Sequence, residues 1–412
     1  MKRILRAEPE SLTCYNLTEK FEMSLAGRDL ELLSNWLETG EENEVSVQLK
    51  KYGLIGTAPE AMQKNTLRGL IRKCNQGQAP LRSLRLPEMM NIELTTHCPL
   101  KCPQCYCNLN TGRDIAKEVA LKFIAEAVRL QIPYLNLSGG ETLVYPHLTE
   151  LIREINSQGL CSAIAISGWG FTADKLEELR SAGVDEIYVS LNGSTEEVNS
   201  KSRDGFQEAL NALQILRKSG FKDYFINWVA REDNIADFPH LVKLAEDLNV
   251  KGIYILALKP DAEQQLKSAP SQESFQQLAS YLKIRTNPEP VIEVEPCYSP
   301  LRAYLQQKLF VNLNTGISKG CGAGRNSFSV DVEGNLTPCR HLLYPEKFAS
   351  IAEYWEESKV LDQLRQVEDH REEPCKSCYL TKNCLSCRAV ADKIYHNIEA
   401  SDPLCPVGVT CR

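Results

Sequence analysis

The feature that most constrains the fold is a regular alternation of strand and helix patterns between residues 88 and 265 of the 412-residue chain. Short runs of β-branched and aromatic residues alternate with longer segments whose apolar residues recur at spacings of three and four. Because right-handed helical crossovers join consecutive parallel strands, the pattern predicts an α/β fold with a parallel sheet. Six such units predict a partial (β/α)6 barrel, an incomplete relative of the eight-stranded barrel.

The pattern also gives approximate bounds for each element. The predicted strands span residues 91–95, 134–138, 163–167, 186–191, 225–230 and 252–256. The predicted helices span residues 118–130, 146–157, 172–182, 205–219 and 235–248. In sheets of this kind the functional residues follow the carboxyl ends of the strands, so those positions are searched first.

Composition and charge exclude several classes of partner. The formal net charge of −7 argues against a nucleic-acid or membrane-surface ligand, because either partner favours a basic patch. The basic start continues with Glu8, Pro9 and Glu10 rather than with the apolar stretch of a signal peptide, which predicts a cytoplasmic protein. In a reducing compartment, sixteen cysteines with repeated CxxC spacings indicate metal ligation; disulfides are the alternative.

Three cysteines follow the first predicted barrel strand, at Cys98, Cys102 and Cys105. Three thiolates hold three irons of a [4Fe–4S] cube and leave the fourth iron open, whereas structural zinc usually takes four ligands. Cys107 lies only one residue beyond Cys105, and its side chain is expected to point away from the site. The triad therefore predicts a cluster with one open iron.

The triad and the aromatic Tyr106 that follows it resemble the radical S-adenosylmethionine (radical SAM) superfamily. The resemblance implies one [4Fe–4S] cluster, on whose open iron S-adenosylmethionine binds through its amino and carboxylate groups. It also implies a 5′-deoxyadenosyl radical that abstracts hydrogen from the substrate, and a flavodoxin- or ferredoxin-type electron donor.

Further strand ends resemble the cofactor-binding motifs of the same superfamily. Residues 138–141 read Ser-Gly-Gly-Glu and resemble its GGE motif, with Thr142 in place of the usual proline. Residues 190–193 and Arg203 resemble its S-L-D-G…R segment, in which Asn192 replaces aspartate. The resemblance assigns to the cofactor Ser138, Gly139, Gly140, Glu141, Ser167, Ser190, Asn192 and Arg203. An ordinary turn, an exposed strand-end serine and a solvated arginine remain the alternatives.

A second group of cysteines lies in the predicted domain 316–412, which follows a bridging segment at 266–315. The spacing of these cysteines resembles the SPASM extension, which holds up to two auxiliary iron–sulfur clusters. By resemblance, one cluster takes Cys375, Cys378, Cys384 and Cys405, and the other takes Cys321, Cys339 and Cys387. The second site is therefore open, of a different nuclearity, or completed by Cys297, Cys411 or a non-cysteine group. A zinc ribbon is the alternative. With few long apolar patterns, this domain is expected to fold around its metal centres.

Residues 1–80 differ again, with strands predicted at 12–17 and 20–25, a helix at 29–37 and a second helix ending at Gly53. The arrangement, with the run LKKYGLI, resembles small winged-helix peptide-recognition domains of the PqqD type. Those domains bind the leader of a precursor peptide as an added strand. A cap that only packs on the rest of the chain is the alternative.

Members with this extension mostly modify ribosomally made peptides, so the resemblance implies maturation of a precursor peptide, with thioether formation as the leading reaction. Carbon–carbon crosslinking and epimerisation are alternatives, and a non-catalytic zinc or iron–sulfur scaffold is an alternative of another class. Sulfatase maturation is disfavoured because Arg340, rather than aspartate, follows Cys339. No general base is assigned. The groups near the extension cysteines that are expected at the surface are Asp331, Glu333, His341 and Lys319.

Overall fold

The computed structural model describes residues 3–56, 60–74, 83–105, 112–260, 263–309 and 320–407. Four residues discussed above lie outside these ranges, namely Tyr106, Cys107, Lys319 and Cys411. Within the described ranges, no helix has both the length and the apolar character needed to cross a membrane.

The N-terminal domain is a three-stranded antiparallel sheet covered by helices. Its elements are β1 (Arg3–Glu8), β2 (Ser11–Asn16), β3 (Phe21–Ala26), α1 (Arg28–Thr39), α2 (Glu44–Lys51) and α3 (Glu60–Cys74). Strands β2 and β3 and the first two helices were predicted, whereas β1 and α3 were missed. Two of the three buried side chains of β1, Arg6 and Glu8, are charged and pair at 2.8 Å, which conceals the apolar alternation of a strand.

The central domain contains the six predicted parallel strands in sequential order. They are β4 (Met89–Thr95), β5 (Tyr134–Gly139), β6 (Cys161–Ile166), β7 (Glu186–Ser190), β8 (Tyr224–Val229) and β9 (Gly252–Leu256). The helices between them are α4 (Lys117–Arg129), α5 (Leu148–Ser157), α6 (Ala173–Ala182), α7 (Glu196–Ser200), α8 (Phe206–Ser219) and α9 (Phe238–Asp247). The α/β partial-barrel prediction is confirmed.

The sheet extends beyond both predicted edges of the barrel to nine strands. The added elements are α10 (Gln272–Ile284), β10 (Val291–Val294), α11 (Ser299–Lys308), β11 (Ser327–Val330) and β12 (Leu336–Thr337). Strand β10, within the predicted bridging segment, pairs parallel with β9, and β11 pairs parallel with β4. These strands of four or two residues are too short to show an alternation of apolar and polar residues. They are recognised only by their hydrogen bonds to neighbouring strands.

The sequence predicts that the C-terminal domain folds around its metal centres, but the domain also contributes side chains to an apolar core. Its helices are α12 (Ile351–Glu357), α13 (Lys359–His370) and α14 (Arg388–Tyr395). Tyr354, Trp355 and Leu361 are buried against the same core as the barrel strands. The Trp355 indole Nε1–H donates to the carbonyl of Leu84 at 2.9 Å, which attaches this domain to the segment before β4.

The N-terminal domain contacts the amino ends of the barrel strands. In the turn between β2 and β3, Lys20 Nζ lies 2.8 Å from Glu186 and 3.0 Å from Asp223, at the amino ends of β7 and β8. Arg6 Nη1 donates to the carbonyl of Pro87, just before β4, at 2.8 Å. The domain is therefore docked opposite the carboxyl-end loops that contain the predicted cofactor residues.

Candidate functional site

The cysteine triad lies in the loop that follows β4. Cys98 and Cys102 are close enough to interact electrostatically, and the Cys105 amide donates to the Cys102 carbonyl at 3.1 Å. The Lys101 amide donates to an Asp204 carboxylate oxygen at 2.9 Å, which ties the loop to the segment before α8. The triad is thus presented at the carboxyl end of the sheet.

Gly139, the last residue of β5, and Gly140, which follows it, hold this loop by direct backbone contact. The Gly140 amide donates to the Thr95 carbonyl at 2.7 Å, and the Glu141 amide donates to the His97 carbonyl at 2.8 Å. A Cβ on Gly139 would lie 2.3 Å from the Thr95 oxygen, and one on Gly140 would lie 2.3 Å from the His97 oxygen. Only glycine permits an approach this close, so the motif brings the second strand against the cysteine loop.

Glu141 is buried and links the second strand end to the third. Its carboxylate accepts the Ser167 amide at 2.8 Å, the Ser167 hydroxyl and the Leu143 amide at 3.1 Å. Burial raises the pKa of Glu141, while these hydrogen bonds and nearby Arg203 lower it in part. Ser167, which follows β6, is therefore held beside the Ser-Gly-Gly-Glu run.

Arg203 and Ser138 supply polar atoms that fit a bound zwitterion. Arg203 is near both Cys98 and Glu141, and no described residue makes a hydrogen bond with its buried Nε. The Ser138 hydroxyl at the end of β5 is buried as well and has no partner among the described residues. A ligand that carries a carboxylate and an amino group, as S-adenosylmethionine does, would satisfy such groups.

Asn192 makes internal hydrogen bonds just after β7, which ends at Ser190. Its side-chain amide donates to the Ser202 hydroxyl at 2.9 Å, and its side-chain oxygen accepts the Val229 amide at 3.0 Å. An amide provides both a donor and an acceptor, whereas an ionised aspartate provides only acceptors. These contacts hold together the strand end and the segment that leads to Arg203.

Several C-terminal cysteines lie close together in two places. Cys384 and Cys405 interact with each other and with Cys375. The Ser299 hydroxyl lies 3.4 Å from Cys384 Sγ. Cys378 Sγ accepts the Leu380 amide at 3.4 Å, in the turn that begins at Cys375.

In the second place Cys339 lies near Cys321 and Cys387, and Cys297 lies beside the same two residues. The Cys297 thiol is in hydrogen-bonding contact with the thiols of both Cys321 and Cys387. Nothing in the spacing singled out Cys297 over Cys411 as a fourth member, because 23 residues separate it from Cys321.

Charged residues that sequence patterns did not identify surround this second group. Lys259 lies close to Cys297 and Cys387 and pairs with Glu295 at 2.5 Å. His341 is partly buried rather than exposed. Burial, followed by the charges of Lys259 and Arg340, lowers the pKa of His341. Each of these residues lacks a motif, so only the fold brings them to the cysteines.

The other expected surface groups behave as ordinary turn and surface residues. Glu333 is exposed and pairs with Arg113, and Asp331 accepts the amides of Glu333 and Asn335. Arg340 Nη2 approaches the Gly139 carbonyl at 3.4 Å, so the extension touches the glycine motif.

Among the described residues, no three His, Cys, Asp or Glu side chains are arranged to chelate a single metal ion.

Comparison with known proteins identifies the central domain. Residues 92–245 match the radical SAM superfamily. The chain contains a radical SAM domain. The match spans β4 to α9 and includes the triad, the glycine motif and Arg203. It implies S-adenosylmethionine and one [4Fe–4S] cluster, and the unpartnered donors described above fit that cofactor.

Two curated relatives cover most of the chain at low identity. The AdoMet-dependent heme synthase of Methanosarcina barkeri is 26% identical over 77% of this chain and 96% of its own length. The PqqA peptide cyclase of Ruegeria pomeroyi is 26% identical over 80% of this chain and 90% of its own length.

Two solved structures share the fold over 98% and 77% of this chain. Streptococcus suis SuiB bound to precursor peptide SuiA has a TM-score of 0.71 at 15% identity, over 98% of both chains. Native anSMEcpe with bound AdoMet and Cp18Cys peptide has a TM-score of 0.59 at 15% identity, over 77% of this chain and 93% of its own. At such identities the likeness establishes the fold.

Proposed function

We propose that this chain matures a ribosomally synthesised precursor peptide by radical chemistry and forms thioether crosslinks from cysteine thiols to carbon. The observation that carries the proposal is the combination of an N-terminal three-stranded sheet with the radical SAM domain and a cysteine-rich C-terminal domain. A structure with this arrangement over 98% of both chains is described as bound to a precursor peptide. The N-terminal sheet favours a peptide over a porphyrin, the substrate class suggested by the heme synthase relative.

The outer edge of β3 is the proposed leader site. In the three-stranded sheet β3 is an edge strand, and among the described residues no further strand pairs with it. Its burial alternates between partly buried and exposed positions, so an added strand finds both backbone groups and side-chain contacts. Adding the leader should slow amide hydrogen exchange in β3 but not in β1; equal protection of both strands would contradict the site.

The radical site holds its ligands through the residues described above. When bound, the cluster and S-adenosylmethionine supply a 5′-deoxyadenosyl radical. Arg203 and Ser138 orient the cofactor's polar groups, and the glycine contacts fix the loop that carries Cys98. Glu141 holds Ser167 beside them. These roles require no movement of the sheet.

Thioether formation removes two hydrogens from the peptide and joins sulfur to carbon. One hydrogen atom leaves a C–H bond and ends on 5′-deoxyadenosine, while the thiol loses a proton as the S–C bond forms. One electron then remains and needs an acceptor. We assign that role to the iron–sulfur clusters that the auxiliary thiolate groups of the C-terminal domain would hold.

The test incubates reconstituted protein with a low-potential reductant, S-adenosylmethionine and a short peptide encoded by a neighbouring reading frame, if one is found there. A thioether removes the mass of two hydrogens and one alkylatable thiol per link. The same mass loss with every thiol still alkylatable indicates carbon–carbon crosslinking, and deuterium uptake without mass loss indicates epimerisation. Equal 5′-deoxyadenosine from the parent and Cys98→Ala would refute radical chemistry. Predominant zinc, rather than about four irons per cluster, would indicate the scaffold alternative.

A further inference from the structure

Cys297 occupies a short helical turn (Pro296–Tyr298) between β10 and α11, at the junction of the barrel and the C-terminal domain. Its thiol contacts those of Cys321 and Cys387, and Cys339 is close to the same two residues. Four thiols from four separate chain segments therefore meet at one place. An apolar core does not require such convergence, because each buried cysteine can pack alone as a small apolar side chain.

Backbone amides point at the sulfurs of this group. Cys321 Sγ accepts amides from Ala323 and Arg388, and Cys339 Sγ accepts the His341 amide at 3.4 Å. Amide hydrogen bonds to sulfur stabilise thiolates and tune the iron–sulfur clusters that thiolates hold. The surroundings therefore suit deprotonated sulfur.

Cations lie around the same four sulfurs. Lys259 is near Cys297 and Cys387, Arg302 is near Cys297, and Arg388 is near Cys321. Lys259 is already paired with Glu295, and Asp402 is near Arg388, so an anionic thiolate cluster would add to the compensation of these buried cations. The buried pair Cys14 and Cys74 lies in the N-terminal core, where Cys74 Sγ donates to the Ser11 carbonyl at 3.0 Å and Arg85 lies near Cys74.

The turn that contains Cys297 lies between the two auxiliary groups. The next residues face the other group: Tyr298 is near Cys405, and the Ser299 hydroxyl lies 3.4 Å from Cys384 Sγ. Strand β10 anchors the turn to the sheet, and Glu295 adds the ion pair with Lys259. Cys297 is thus held at its site by the fold.

We infer that Cys297 is the fourth ligand of the auxiliary cluster held by Cys321, Cys339 and Cys387, so that this cluster is closed by four thiolates. The inference rests on the auxiliary clusters of the proposed function. A closed cluster leaves no iron for a substrate thiol, and it exchanges electrons with the peptide without binding it.

The test isolates the auxiliary clusters by replacing Cys98, Cys102 and Cys105 together with alanine. In this background, Cys297→Ala is compared with Cys14→Ala, which removes a buried thiol elsewhere. Iron and sulfide per chain and the electron paramagnetic resonance spectrum of the reduced protein are recorded with and without added 2-mercaptoethanol. Neither readout depends on turnover.

We expect the parent and Cys14→Ala to give the same spectrum with and without the added thiol. Cys297→Ala should lose about four irons or give a spectrum that shifts when the thiol is added. If Cys297→Ala misfolds, Cys297→Ser retains a hydroxyl ligand and should hold iron with an altered spectrum. A parent spectrum that shifts with thiol, or Cys297 variants identical to the parent, would overturn the assignment.

Failure of the wider proposal gives a different result. If the triple-alanine background binds zinc instead of iron, the auxiliary clusters and the Cys297 assignment both fall. Radical chemistry at the first cysteine triad would still stand if the unmodified chain produces 5′-deoxyadenosine.

Discussion

Replacing Gly140 with alanine should disable the radical site without unfolding the protein. The new Cβ would lie 2.3 Å from the His97 carbonyl oxygen, 2.8 Å from its carbonyl carbon and 3.1 Å from Cys98 Cβ. Since non-bonded heavy atoms are most stable about 3.5 Å apart, the cysteine loop must move by roughly 1 Å. Overpacking of this kind costs about 1–3 kcal/mol of unfolding free energy.

The effect on activity should exceed the effect on stability. A shift of about 1 Å in a reacting group reduces rate by roughly 100-fold, because productive alignment is lost. The assay measures initial 5′-deoxyadenosine formation, iron content and thermal unfolding of the same preparations. We expect lowered iron retention or a rate loss of this order, with a cooperative unfolding transition preserved.

Gly69→Ala provides the matched control. Gly69 lies within α3, and no atom of the described residues lies within 4 Å of a Cβ added there. Alanine in a helix interior should stabilise the domain by about 1 kcal/mol and leave 5′-deoxyadenosine formation unchanged. Gly140→Ala with full iron and a rate within about twofold of the parent would refute the close-contact role of this glycine.

Three further predictions concern other parts of the molecule. Trp355→Ala should lower the free energy of unfolding by about 3–5 kcal/mol, because it leaves a buried cavity and removes the hydrogen bond to the Leu84 carbonyl. A decrease below about 1 kcal/mol in chemical denaturation would contradict this prediction. Burial raises the pKa of Glu88, so its contribution to stability is present at low pH and is lost as pH rises through the raised value. Glu88→Gln should therefore raise the melting temperature more at about pH 8 than at about pH 5, whereas exposed Glu357→Gln should show no such difference; equal shifts at both pH values would exclude the mechanism. The N-terminal domain docks at the amino ends of the strands, so a peptide bound there must span at least about 20 Å to reach the cysteine loop. Shortening the spacer after the leader below roughly six residues should therefore abolish modification but not leader binding. Full modification of such a shortened peptide would show that the leader binds elsewhere.

The local patterns of this chain were sufficient for the barrel and its first cysteine site. Each of the six barrel strands shows either an alternation of apolar and polar residues or a short apolar run. The cysteine triad comes shortly after the first of these strands. Ser-Gly-Gly-Glu and Ser190 also follow strands, so their shared edge follows from parallel pairing alone. For these features, nearby residues contain the necessary information.

Long-range contacts decided the remainder. Strand β1 conceals its period behind a buried Arg6–Glu8 pair, and β10 exists because it pairs with β9. Glu141 meets Ser167 across 26 residues, and Cys297 meets Cys387 across the domain junction. Sequence spacing identified which cysteines were candidates for ligation. Only the tertiary structure could select Cys297 among them, since hydrogen bonding, burial and charge compensation depend on distance in space rather than along the chain.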